Sequence, residues 1–184
     1  MSGLPGKIVE LHDALERATL PHAFGGALAL AWCTQRARGT IDIDVNVFVD
    51  AERSVDVFDA LPRGVRRSAT DLATIRRDGQ VRLWWDDTPI DVFLNTTDLH
   101  AHIADRMRWE AFAGRMIPFL SCYDLAVFKA FFNRTKDWAD LEEMQAAETL
   151  DARRVIATIA EHLGTDDDRI ERLRTLARSK TRDG

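Results

Sequence analysis

The sequence predicts an α/β (α+β) protein, a small mixed-sheet core followed by a helical C-terminal part, and three observations predict it. Residues 40–49 alternate between apolar and polar, the period of a half-buried strand. Two further pairs of strand-like runs lie between Gln80 and Phe119, each pair interrupted by turn residues. Beyond Pro118, capping residues stand ahead of helical patterns and no strand pattern returns.

The elements follow in order. Ile8, Leu11, Leu15 and Ala18 recur at helical intervals with Glu10, Asp13 and Arg17 between them, so an amphipathic helix is expected to end before Pro21. A short apolar step, His22 to Phe24, leads into Gly25-Gly26, which opens a buried helix through Ala27 to Trp32. In the strand that comes next, Ile41, Ile43, Val45 and Val47 take one face and Asp42, Asp44 and Asn46 the other. A helix from about Arg53 to Leu61 closes at Pro62 and Gly64; after a basic loop, another runs through Leu72 and Ile75 to Asp78-Gly79. Gln80 to Trp85 and Pro89 to Asn95 form a hairpin turning at Asp86-Asp87-Thr88, and a second hairpin turns around Gly114. Ser121, Asp137, Asp151 and the run Asp166 to Asp168 mark the starts of the C-terminal helices. Residues 1–120 are expected as the core and 121–184 as the helical part, packed together as one unit.

Composition narrows the function. With 184 residues, 46% hydrophobic and 30% charged, the chain can bury a core without covalent staples. Its net charge of −5 argues against indiscriminate coating of nucleic acid, whose affinity comes from phosphate neutralisation. Positive charge is nevertheless concentrated at Arg63, Arg66 and Arg67 and again at Arg76 and Arg77, which fits a solvated surface as well as a substrate-binding one. Cys33 and Cys122 lack C-x-x-C spacing and sit in apolar surroundings, so both are expected to be reduced packing residues. The first 21 residues carry too many charges for a signal peptide, and no uncharged run is long enough to span a bilayer. The expected location is the cytoplasm, with no membrane partner.

The acids on the polar strand face carry the chemical signal. Residues two apart on a strand point the same way, so Asp42 and Asp44 can present carboxylates to common hard cations, with Asp91 from another strand as a third. Two magnesium ions about 3.5–4 Å apart can stabilise both the attacking and the leaving oxygen of a phosphoryl displacement. Gly25-Gly26 ahead of a helix lets backbone N–H groups approach a triphosphate. Each part alone also has a plainer account: a solvated strand face, a turn, a surface acid. Their order is what phosphoryl transfer needs.

Phe24-Gly25-Gly26-Ala27-Leu28-Ala29, followed by Arg38-Gly39-Thr40-Ile41-Asp42-Ile43-Asp44-Val45, resembles the first motif of the polymerase-β-like nucleotidyltransferase superfamily, and is most similar to the AbiEii and MenT toxins of type IV toxin–antitoxin systems. A second stretch is similar to the helical segment of that family: Asp124-Leu125-Ala126-Val127-Phe128-Lys129, continuing Asn133-Arg134-Thr135-Lys136-Asp137-Trp138-Ala139-Asp140. The resemblance implies a magnesium-dependent nucleotidyltransferase using a nucleoside triphosphate. It implies metal ligands and catalytic acids at Asp42, Asp44 and Asp91, phosphate contacts at Gly25 and Gly26, Lys129 assisting at the triphosphate, and nucleotide contacts at Arg38, Thr40 and Lys136. It further implies a toxin that transfers a nucleotide, pyrimidine favoured, to the 3′ end of tRNA, with a cognate antitoxin protein as partner. A small-molecule, antibiotic-type nucleotidyltransferase and a catalytically inert binding relative are the alternatives. Ala27 stands where many relatives have Ser, which leaves only backbone donors there. Arg134, Lys136, Asp137 and Asp140 also fit helix capping and surface ion pairing.

Overall fold

A computed structural model of the chain describes residues 3–36, 39–97, 100 and 102–179. The first helix, α1 (Leu4–Arg17), is followed by β1 (His22–Phe24), α2 (Gly26–Thr34), β2 (Ile43–Asp50) and α3 (Ser54–Ala60). Next come β3 (Val65–Arg66), α4 (Ala69–Asp78), β4 (Gln80–Trp85), β5 (Thr88–Asn95), β6 (Arg108–Phe112) and β7 (Arg115–Phe119). Four helices follow among the described residues: α5 (Cys122–Phe132), α6 (Thr135–Ala146), α7 (Ala152–Leu163) and α8 (Asp168–Ser179). Two compact units result, Met1–Leu28 with Arg38–Leu120, and Ala29–Ala37 with Ser121–Gly184.

The seven strands among the described residues belong to the first unit and form one mixed sheet in the order β3-β4-β5-β2-β1-β7-β6. β2 pairs parallel with β5, and β1 parallel with β7; the remaining neighbours are antiparallel. The β4–β5 hairpin needs only Asp86 and Asp87 between the paired Trp85 and Thr88, and Asp86 takes the left-handed conformation (φ 52°) that an aspartate tolerates. On β4 the alternation is complete: Val81, Leu83 and Trp85 are buried and Gln80, Arg82 and Trp84 are exposed. Helix α1 buries Ile8, Leu11 and Leu15, and its Lys7 Nζ donates to the Trp85 carbonyl (2.7 Å) and to Thr88 Oγ1 (3.0 Å). The same helix meets β1 through His12 and His22, whose Nδ1 and Nε2 atoms lie 2.9 Å apart. Burial lowers the pKa of both imidazoles, that of His22 to about 4.

Two short strands escape the sequence pattern. β1 and β3 span three and two residues, too few for a period to show, and exist because the sheet supplies partners on either side. In the other direction, β2 begins at Ile43 rather than Thr40: the ladder with β5 starts at the Ile43–Ile90 pair, and Ile41, ahead of it, is 78% exposed.

The second unit is helical. Ser121 caps α5, its Oγ accepting from the Asp124 N–H (3.1 Å), and Asn133 ends that helix in the left-handed conformation (φ 56°) with its side-chain oxygen accepting from Trp138 Nε1 (2.7 Å). The Tyr123 hydroxyl hydrogen-bonds to Thr158 Oγ1 on α7 (2.6 Å). Contrary to the expectation of two reduced thiols, Cys33 and Cys122 form a disulfide with a Cα–Cα separation of 5.5 Å. Residues 89 apart in sequence are brought together because the segment 29–37 joins the C-terminal helices rather than the sheet. Among the described residues, no helix is long and apolar enough to cross a membrane.

Candidate active site

Three strands set the site. Asp44 on β2 is in register with Asp91 on β5, and Asp91 with Arg82 on β4, so the three side chains form a row across one face of the sheet. Arg82 forks onto both carboxylate oxygens of Asp91, Nε to Oδ1 at 2.7 Å and Nη2 to Oδ2 at 2.6 Å. Its guanidinium is held well above its ordinary pKa by the hydrogen bond and charge of Asp91, with further contributions from the charges of Asp42 and Asp44. Arg82 therefore feels all three acids at once. Asp42 lies just before β2, where the Thr40 hydroxyl donates to its carboxylate and to its carbonyl oxygen (3.2 Å), fixing the orientation of the side chain.

The glycine pair is pressed against these acids. The Gly25 N–H donates to the Asp44 carbonyl (2.9 Å), and Gly26 opens α2 with φ 54°. A Cβ on Gly26 would come within 1.9 Å of Asp44 Oδ2, and one on Gly25 within 3.0 Å of Asn46 Nδ2. Only glycine lets the helix start pass this close to a carboxylate. The arrangement thus joins a helix N-terminus, which favours anions, to a cluster of acids that favours cations.

The donor set suits magnesium. Carboxylate oxygens with no nitrogen or sulfur among them are what a hard cation takes. The acids already draw in one cation, the Arg82 guanidinium, and three carboxylates outnumber it. Their oxygens do not converge into a closed cage: among the described residues, His12, Glu16 and His22 are the one trio of His, Cys, Asp or Glu whose ligand atoms all lie within 4.8 Å of one another. Mutual repulsion of the acids and the hold of Arg82 on Asp91 account for that openness.

Beside Arg82 lies an open cleft of about 410 Å³, lined by Arg66, Arg67, Asp71, Arg82 and Trp84 among others. Trp84 is 42% exposed, whereas the neighbouring Trp85 is buried. Of the five arginines singled out in the sequence, only Arg66 and Arg67 line this cleft. Arg67 Nη1 is committed to the carbonyls of Leu61, Pro62 and Val65, Arg76 donates to Ser54 Oγ (3.0 Å), and Arg77 pairs with Asp78 (2.6 Å).

The remaining candidates lie in the second unit or outside the described residues. Lys129 is buried on α5, with Nζ 2.5 Å from Asp140 Oδ2 and 3.9 Å from Asp137 Oδ1. Asp137 is itself gripped by the Arg134 guanidinium (2.7 Å) and backbone N–H (3.2 Å). Asp137 and Asp140 are buried acids rather than surface ones. Lys136 is exposed in the first turn of α6, and the break at Asn133 keeps it off the helix that carries Lys129. Arg38 lies outside the described residues. Arg82 escaped the sequence reading, yet a two-residue turn at Asp86-Asp87 forces position 82 opposite position 91, so the hairpin register held the signal.

No protein-family model and no curated protein sequence matches the chain. Solved structures do. The antibiotic-resistance factor ANT(2'')-Ia in solution superposes with a TM-score of 0.57 at 17% identity, over 96% of this chain and 92% of that one. The lincosamide antibiotic adenylyltransferase LnuA, with lincomycin bound, gives a TM-score of 0.51 at 14% identity, over 77% of this chain and 96% of that one. An antigenic nucleotidyltransferase-like protein from Paracoccidioides brasiliensis gives 0.52 at 12% identity, over 91% and 92% of the two chains. Shared by proteins of such low identity, what is common is the fold, and the chain therefore has the fold of the nucleotidyltransferases.

Proposed function

We propose that the chain is a magnesium-dependent nucleotidyltransferase that moves a nucleoside monophosphate from a nucleoside triphosphate to a hydroxyl. The observation that carries this reading is the row Asp44–Asp91–Arg82 with the Gly26 backbone against Asp44. Asp42, Asp44 and Asp91 hold the metal, which when bound supplies charge neutralisation to the phosphates. Gly25 and Gly26 present the start of α2 to the triphosphate; Thr40 orients Asp42, and Arg38, Lys129 and Lys136 are assigned to the nucleotide. The acceptor oxygen bonds to the α-phosphorus, the bond from that phosphorus to the bridging oxygen breaks, and pyrophosphate leaves with the electron pair. Asp91 accepts the hydroxyl proton once Arg82 releases one of its two oxygens.

The acceptor we favour is the 3′ end of a tRNA, with CTP or UTP as donor. Arg66 and Arg67, in the cleft where Arg82 is already paired with Asp91, attract an anionic acceptor, and Trp84 offers a ring on which a base can stack. Such an enzyme acts as a toxin in the cytoplasm, where an antitoxin protein restrains it. A second reading is favoured by the fold likeness to antibiotic-modifying enzymes: a small hydroxylated acceptor in the same cleft.

Incubation with each labelled triphosphate, magnesium and either total RNA or a panel of hydroxylated antibiotics separates these readings. Label on RNA supports the first acceptor and label on a small molecule the second. Nucleotide binding without turnover in either mixture leaves an inert relative and sinks the enzymatic reading. Arg66→Glu is expected to impair RNA labelling while leaving triphosphate binding near wild type; Arg67 is a poorer probe because it holds the loop together.

A further inference from the structure

We propose that His12, Glu16 and His22 bind a divalent transition metal of the zinc class, at a site separate from the carboxylates of the sheet. His12 and Glu16 stand four residues apart on α1, one turn of the same helix face, and His22 reaches them from β1. One ligand atom from each already lies within 4.8 Å of the other two. Two histidines and a carboxylate form one of the ligand sets that zinc takes when it keeps a fourth position open.

The local hydrogen bonds prepare the ligands. His22 Nδ1 is 2.8 Å from the Leu20 carbonyl, which can only accept, so Nδ1 carries the proton and the lone pair of the neutral ring sits on Nε2. That is the support a metal-binding imidazole ordinarily receives from its outer neighbours. The Nε2 lone pair points at His12 Nδ1, 2.9 Å away. Two nitrogens each about 2.0–2.1 Å from a tetrahedral zinc stand about 3.3 Å apart, so the pair has to open by only a few tenths of an ångström, with the His12 proton moving to Nε2 or to solvent. Both rings are buried while Glu16 is exposed, and an open cleft of about 560 Å³ lined by His12, Asp13, Glu16 and Arg115 gives an ion its way in. Asp13 is engaged by Arg115 (2.7 Å), which leaves Glu16 as the carboxylate for the site. Nitrogen donors select zinc, cobalt or nickel over magnesium, so the two sites differ in the metal they prefer.

The test uses the full chain carrying Asp44→Ala, stripped of metal with a chelator and titrated with Co2+ while visible d–d absorption is recorded. One equivalent is expected to give the intense band of a four-coordinate ion, and Zn2+ to displace it. Adding Glu16→Ala, an exposed change that leaves the fold in place, is expected to weaken binding by more than about 100-fold, beyond what loss of an outer-shell partner alone causes. His12→Ala is expected to remove the band. A weak octahedral spectrum, or Co2+ affinity unchanged by Glu16→Ala, overturns the proposal and leaves the two histidines as a hydrogen-bonded staple between α1 and β1.

Discussion

Gly26 and Asp44 constrain each other more tightly than any other pair at the candidate site. Adding a methyl at Gly26 brings it within 1.9 Å of a carboxylate oxygen and forces an L residue to hold φ 54°. Gly26→Ala is therefore expected to cost about 1–3 kcal/mol of stability and to abolish triphosphate binding. Combining it with Asp44→Ala removes the carboxylate from the collision, leaving a Cβ–Cβ approach of 3.1 Å and the backbone strain, so the double variant should melt above the single one; if it does not, the carboxylate contact is not the source of the loss. Asp44→Ala alone should behave in the opposite sense. One guanidinium, Arg82, faces three acids, so without a metal their repulsion is only partly offset; this variant is expected to melt at or above wild type in a chelator and to show none of the rise that added magnesium is expected to give wild type. A clear fall in its melting temperature without metal would mark Asp44 as a structural residue.

At the scale of elements, what the sequence made legible follows from period and turn chemistry. The β4–β5 and β6–β7 hairpins, the capped helices α5 and α7, and the buried face Ile43, Val45 and Val47 all match their patterns. β1 and β3 were illegible because pairing, not composition, makes two or three residues a strand. The alternation puts Asp42 in the strand, yet it precedes β2 and depends on Thr40 for its orientation, since a ladder starts where its partner does. The acids themselves were legible from spacing, whereas Arg82 required the hairpin register. The link between α5 and α6 was hidden for another reason: a Lys and two acids eleven or fewer residues apart look the same on a surface as in a core. Buried, the Lys129–Asp140 pair is expected to make a single truncation expensive. Asp140→Ala should cost about 3 kcal/mol, the low end of the range for a broken buried pair, because Asp137 still faces Lys129 at 3.9 Å. Lys129→Met with Asp140→Leu should recover much of that loss in urea unfolding. Equal stability of Asp140→Ala and wild type would mean that water reaches the pair.

Across the whole molecule, the second unit is built from two stretches that the chain separates by most of the first. Residues 29–36 group with the helices that follow Ser121 although the whole sheet from β2 to β7 lies between them in sequence, and the Cys33–Cys122 bridge closes that loop. Entropic restriction of a loop spanning 89 residues is worth about 4–5 kcal/mol in the chain-entropy model, with measured disulfides commonly returning about 2–4. The bridge therefore contributes as much as the buried ion pair, and it does so through the unfolded chain rather than through contacts in the folded one. Cys33→Ser with Cys122→Ser is expected to lower unfolding stability by about 2–4 kcal/mol, and dithiothreitol to lower wild type by a similar amount while leaving the double variant unchanged. Urea titrations of both proteins with and without reductant read this directly. A wild type that reductant does not destabilise, or free thiols on both cysteines in protein purified without reductant, would return them to ordinary packing residues; a bridge that forms only after air exposure would accord with cytoplasmic action, where thiols are kept reduced.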